Sequence, residues 1–225
     1  MRQIHKRIHE EGTKAIIVAL LIAAVVVTGI NLLWPHQTVW HVLAYVFFAI
    51  VFGIIVRFFR VPIHRKTTIM ENAVVSPADG ILSADEVVFE DEYFHEQRRK
   101  LSIFMSIYNV HINFFPFDGM VTYYKYHPGK YLVAFKPKSS VDNEHNSIVI
   151  KDHQGREMLV RQIAGFVARR IVCELEPGDA SVVGEEFGMI RFGSRVDVFL
   201  PLDAEVEVHL GQIIRAKSTV LAKLL

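Results

Sequence analysis

From Ala15 to Leu33 the chain reads AIIVALLIAAVVVTGINLL, an apolar run without one formal charge. About 19 residues at a helical rise of 1.5 Å span a hydrocarbon layer of roughly 30 Å. After Trp34-Pro35-His36-Gln37 a second run follows, Val39 to Val56, broken only by His41. So short a connection holds no domain, and the pattern predicts a transmembrane helical hairpin with helices over 15–33 and 39–56. Basic residues flank it on one side: Arg2, Lys6, Arg7 and Lys14 before, Arg57, Arg60, Arg65 and Lys66 after. The positive-inside rule places both ends in the cytoplasm. Trp34 and Trp40 fall at the far turn, where indole rings favour the interface. The expected location is the inner cell membrane, with the rest of the chain on its cytoplasmic side. No small-residue cleavage site marks the hairpin as a secretory leader.

Residues 1–66 therefore form a membrane segment with basic flanks, and 67–225 leave room for one compact domain. Charge is almost balanced, 25 basic against 24 acidic residues, so no global field points to a nucleic-acid partner. The single cysteine, Cys173, excludes an internal disulfide framework and a multi-cysteine metal site. Its apolar neighbours predict a small buried thiol.

Past Lys66 the texture changes to short β-rich runs: Ala73–Val75, Leu101–Ile107, Met120–Tyr126, Ser147–Ile150, Glu157–Ile163, Arg169–Leu175, Val196–Leu200 and Glu205–Leu210. Turn signals separate them, among them Pro77-Ala78-Asp79-Gly80, Phe117-Asp118-Gly119, His127-Pro128-Gly129 and Glu176-Pro177-Gly178-Asp179. Such punctuation predicts a mainly β domain. Val133–Phe135 fits an irregular or helical stretch instead, and no clean repeat is visible.

Three polar positions carry chemistry if the fold brings them together. Gly193-Ser194 is by itself a turn, although a hydroxyl held behind the preceding carbonyl can attack it, given a base. Asp79 suits a turn aspartate capping backbone donors, or a carboxylate that orients a histidine. His111, in Tyr108-Asn109-Val110-His111-Ile112-Asn113, suits one face of a strand, or proton transfer near neutral pH. The eleven histidines are scattered without His-x-His or HExxH spacing, which predicts no metal site. Arg98-Arg99-Lys100 reads as a solvated turn, or a basic cluster facing anionic lipid. No glycine-rich phosphate loop occurs.

In this order the motifs resemble the short-type phosphatidylserine decarboxylases. The matching blocks are Val75-Ser76-Pro77-Ala78-Asp79-Gly80 and Asn109-Val110-His111-Ile112-Asn113, running on to Pro116-Phe117-Asp118-Gly119. Gly129-Lys130-Tyr131-Leu132, Ala134-Phe135, Asp142-Asn143-Glu144 and Asn146 follow. The longest stretch runs from Arg161-Gln162-Ile163-Ala164-Gly165 to Arg191-Phe192-Gly193-Ser194-Arg195-Val196-Asp197. The similarity covers about residues 57–216, and a hydrophobic hairpin ahead of the domain also fits the family.

The resemblance implies self-cleavage between Gly193 and Ser194 into chains 1–193 and 194–225, held together as a heterodimer, with room for a higher oligomer. Ser194 would become a covalent pyruvoyl group that forms a Schiff base with the substrate amine, with no pyridoxal phosphate and no metal. His111 would be the base for cleavage, with Asp79 orienting it. Longer relatives carry a second histidine just before this one and an LGST-like cleavage motif. Here Tyr108-Asn109 and Phe192-Gly193-Ser194-Arg195 stand in those places, so the resemblance does not assign the proton donor to the substrate carbon, and His111 is the candidate. The substrate implied is phosphatidylserine in the bilayer, released as phosphatidylethanolamine and carbon dioxide. The hairpin then has a purpose, since each buried CH₂ holds a lipid in the bilayer by about 0.8 kcal/mol.

Glu176-Pro177-Gly178-Asp179, Gly184-Glu185 and Gly188 are also similar to the hammerhead strands of biotinyl and lipoyl domains. That likeness implies a sandwich-barrel hybrid, duplicated around Asp79-Gly80 and Gly178-Asp179. It also frames the rival reading of a non-catalytic membrane-anchored adaptor, which the lack of a lysine at Gly193-Ser194 disfavours. A decarboxylase of another seryl phospholipid is the second alternative.

Overall fold

The computed structural model describes residues 7–129, 143–165, 171–191 and 194–225. Arg2, Lys6, residues 130–135, Asp142, Arg169, Phe192 and Gly193 lie outside the described residues. The chain divides into two compact units, Met1–His64 and Arg65–Leu225.

The first unit is a hairpin of α1 (Glu10–Leu33) and α2 (Val39–Phe58), both long and apolar enough to cross a membrane. Helix α1 begins before the apolar run because His9 caps it, its ring accepting from Glu11 N at 3.2 Å. Glu10 and Glu11 also suit the positive end of the helix dipole. His41, which interrupts the second run, closes the turn. Its Nδ1 meets Thr38 N at 3.1 Å and its Nε2 meets Trp34 O at 3.0 Å. Between the helices Tyr45 donates to Asn31 Oδ1 at 2.9 Å, a polar tie in an otherwise apolar pair. At the base His9 N donates to Phe59 O and Val61 N to Arg7 O. Elsewhere large side chains point outward, with Val25, Leu32 and Trp40 each more than 70% exposed.

The second unit is mainly β. Its strands are β1 (Ala73–Val75), β2 (Gly80–Glu90), β3 (Glu96–Met105), β4 (Ile112–Phe114), β5 (Gly119–His127), β6 (His145–Lys151) and β7 (Glu157–Ile163). They continue with β8 (Ile171–Val172), β9 (Ala180–Ser181), β10 (Glu186–Ile190), β11 (Ser194–Leu200), β12 (Glu205–Val206), β13 (Ile213–Ile214) and β14 (Val220–Lys223). An eight-stranded curled sheet has the order β13-β2-β3-β11-β7-β6-β5-β9, flanked by three-stranded sheets β1-β14-β12 and β4-β10-β8. Every pairing is antiparallel, and bulges fall between Leu82 and Ala84 and between Val121 and Tyr123, where extra twist favours curling. The mainly β expectation and the helical hairpin both hold.

The core lies on one face of the large sheet, where Leu101, Ile103, Ile148, Val160, Val196 and Val198 are fully buried. Val149, Leu159 and Phe199 form a smaller cluster on the other face. Strand β11, paired with β3 and β7, is therefore buried at all seven positions.

Several elements differ from expectation. Arg98-Arg99-Lys100 is not a turn but part of β3, paired across to acidic residues. Arg99 meets Asp85 at 2.8 Å, Lys100 meets Glu86 at 2.7 Å, and Arg98 covers the Phe94 ring at 3.5 Å. Strand β3 stops at Met105 because Asn109 Oδ1 accepts from Ser106 N and Oγ, closing a turn. Strands β8 and β12 are shorter than the apolar runs that marked them. Cys173 is half-buried against the core, and burial pushes its thiol pKa up to about 12.

Gly80 opens β2 where a side chain has no space: a Cβ there would lie 2.3 Å from Phe104 O. Gly80→Ala is expected to cost about 1–3 kcal/mol by displacing β3. A thermal melt would read this as a loss of about 2–4 °C per kcal/mol. An unchanged Tm would refute the close-approach argument.

Candidate active site

The turn before β2 is organised by Ser76, whose Oγ donates to Ala78 O at 2.8 Å and accepts from Ala78 N at 3.3 Å. This short ring presents Asp79 to three groups. Its Oδ1 accepts from Ala216 N at 2.8 Å, its Oδ2 from Val110 N at 3.4 Å, and Arg65 grips both oxygens. The carboxylate thus caps backbone donors, as a turn aspartate does. One of those donors is the residue next to His111, so Asp79 anchors the histidine's main chain.

His111 is fully buried, with Nδ1 3.1 Å from Asn109 O. A carbonyl only accepts, so in the neutral ring Nδ1 carries the proton and Nε2 the lone pair. The main chain is fixed as well, since His111 O accepts from Ile190 N at 3.1 Å and Ile112 pairs with Met189. Strand β10 then leads in sequence to Ser194, the first residue of β11.

Ser194 stands opposite Met105 and is fully buried, its Oγ donating to Met105 Sδ at 3.4 Å. The same sulfur lies 3.9 Å from Asn113 Nδ2, which also donates to Pro77 O at 3.4 Å. Asn113 Oδ1 accepts from Gln162 Nε2 at 2.6 Å, and Gln162 Oε1 from Asn146 Nδ2 at 2.9 Å. Through Met105 this chain of buried amides links Ser194 to the Asp79 turn and to β4, the strand that follows His111. Gly188 leaves it room, because a Cβ there would meet Val172 O at 2.6 Å and Gln162 Nε2 at 3.2 Å.

Asp79, His111 and Ser194 are each buried, Asp79 meeting the main chain beside His111, and Ser194 meeting Met105. Tyr108, in the place of the longer relatives' second histidine, is 63% exposed. Arg65, read only as a basic flank of the hairpin, Met105 and the three amides carried no role at the site in the sequence reading. The amides lay inside the quoted blocks, so their signal was polar residues within otherwise apolar strands.

Residues 51–222 match the phosphatidylserine decarboxylase family. A relative from Bacteroides thetaiotaomicron is 45% identical over 222 residues, covering 97% of this chain and 95% of its own. One from Phocaeicola vulgatus is 44% identical over 221 residues, with 97% and 95% covered. One from Cytophaga hutchinsonii is 42% identical over 216 residues, with 96% and 98% covered. Each is called a phosphatidylserine decarboxylase proenzyme. The chain belongs to the phosphatidylserine decarboxylase family. This family of carboxy-lyases forms phosphatidylethanolamine with a pyruvoyl group made by autocatalytic cleavage. Membership over nearly the whole length sets the adaptor reading aside.

Proposed function

We propose that this chain cleaves itself between Gly193 and Ser194 and then decarboxylates phosphatidylserine at a membrane surface. The observation that carries this reading is the seating of Ser194. A serine at the first position of a buried strand, tied through Met105 to a chain of buried amides, supports chemistry on its own peptide bond.

His111 takes the Ser194 hydroxyl proton through Nε2, and Oγ attacks the Gly193 carbonyl carbon. The peptide C–N bond breaks as the new ester C–O bond forms, and the nitrogen of residue 194 takes a proton. Removal of the residue 194 α-proton expels the ester oxygen, which leaves with the carboxyl end of Gly193. Water then releases ammonia from the resulting terminus, and the pyruvoyl carbonyl remains. Asp79 acts throughout as a positioning residue through Val110 N and Arg65.

The full burial of Ser194 against Met105 fits a small carbonyl group that must be shielded from water. Once formed, the pyruvoyl group supplies the electron sink that no ordinary side chain offers. His111 returns a proton to the substrate carbon after carbon dioxide leaves. Helices α1 and α2 support an anchor in the membrane, and their basic flanks support a cytoplasmic site. The two chains stay associated as a heterodimer.

Intact mass under denaturing conditions tests the proposal. Two chains dividing after Gly193 are expected, the smaller lighter by one ammonia than a serine-started peptide. Carboxyl-labelled phosphatidylserine should then release labelled carbon dioxide without added pyridoxal phosphate. A single uncut chain that still decarboxylates the lipid would refute self-processing.

A further inference from the structure

A second polar cluster, which the proposed chemistry does not use, is formed by Glu92, His127 and His145. One ligand atom from each falls within 4.8 Å of the others. We propose that these three residues bind a divalent transition-metal ion of the zinc type, which staples the turn after β2 to the ends of β5 and β6.

The cluster is built from different elements. Glu90, at the end of β2, accepts from the backbone N–H groups of Glu92, Tyr93 and Phe94 at 2.9–3.1 Å. That fixes the turn carrying Glu92. His127 ends β5 and pairs with His145, which begins β6. Their rings stack with centroids 4.4 Å apart, and His127 Nε2 lies 2.6 Å from Glu92 Oε1.

A second observation points to a ligand. His145 Nδ1 is 2.7 Å from Asn143 O, so this ring donates there and keeps its lone pair on Nε2. A carbonyl behind the distal nitrogen is the usual support of a metal-bound imidazole. Asn143 is itself held, its Nδ2 donating to Ala164 O at 2.7 Å.

Charge permits a cation. Arg161 contacts both Glu90, at 3.1 Å, and Glu92, at 2.7 Å. Two carboxylates against one guanidinium leave the pocket with net charge −1 when both rings are neutral. The guanidinium and Ser147 Oγ hold Glu92 Oε2, while Oε1 faces the imidazoles. Two imidazoles and one carboxylate suit zinc or cobalt, whereas calcium and magnesium prefer all-oxygen sets. Tetrahedral zinc at about 2.1 Å from each donor places the donors about 3.4 Å apart. The 2.6 Å Glu92–His127 pair must therefore open and the wider separations close, which the 26% exposed His127 side chain has room to allow.

The expectation of no metal site rested on local histidine spacing. These ligands lie 35 and 18 positions apart (127 − 92 and 145 − 127), beyond any such rule.

The full-length protein in detergent, stripped with chelator, is equilibrated with zinc chloride and dialysed, and bound metal is counted. One tightly held equivalent is expected, with a zinc-dependent rise in Tm. His127→Ala and the nearly isosteric Glu92→Gln should each weaken zinc binding at least tenfold and abolish the Tm rise. Cobalt should give tetrahedral ligand-field bands in the wild type alone. No zinc uptake by the wild type, or equal uptake by folded wild type and both variants, would overturn the proposal.

Discussion

Ser194→Ala is expected to leave the chain in one piece and to bring decarboxylation down to background. The change removes one oxygen, and the lost Oγ–Met105 Sδ contact is a weak hydrogen bond worth at most about 1 kcal/mol. The variant should keep the strand and its register, because β11 is held by pairing with β3 and β7 and by burial of its other side chains. A folded, uncut and inactive variant therefore isolates chemistry from stability. Denaturing electrophoresis and the lipid assay read both effects, and efficient cleavage of this variant would end the Ser194 scheme.

His111→Ala should slow maturation by about 10²–10⁴-fold, the range ascribed to a positioned general base. The residue is fully buried, so some destabilisation accompanies the change. Asn109 O loses its partner, at about 1–3 kcal/mol. A time course of processing after synthesis, run beside a thermal melt, separates the two contributions. A variant that is destabilised yet matures and turns over normally would remove His111 from the mechanism. Maturation slowed far beyond what the fall in Tm accounts for is the result expected of a base.

How much was legible depended on how local the cause was. The helices were readable because no charge interrupts either run, and only the start of α1, set by His9, and the last two residues of α2 escaped. Strand β7, Glu157–Ile163, was bounded at both ends by its apolar run and turn residues. Strand β2 was hidden because Asp85 and Glu86 face Arg99 and Lys100 across the sheet, so its pattern makes sense only beside β3. Asp79 and His111 stood out through their ordered blocks. Arg65 did not, because a basic residue beside an apolar hairpin already has an explanation. Met105 became visible only through the register that sets it against Ser194. The Glu92 cluster likewise needed three distant segments to be folded first.

The place of β11 between β3 and β7 has a consequence for the life of the protein after cutting. A break before Ser194 would leave the short chain hydrogen-bonded along both edges, its seven strand residues inside the sheet. It could not leave without opening the core, so the fragments should stay together even at high dilution. Unfolding would be another matter, since the central strand would then belong to a separate molecule. Refolding would become a bimolecular search, slower and concentration-dependent, whereas the uncut precursor folds as one chain. The mature form would therefore persist through the height of its unfolding barrier rather than through a reversible equilibrium, and each molecule would have one opportunity to assemble.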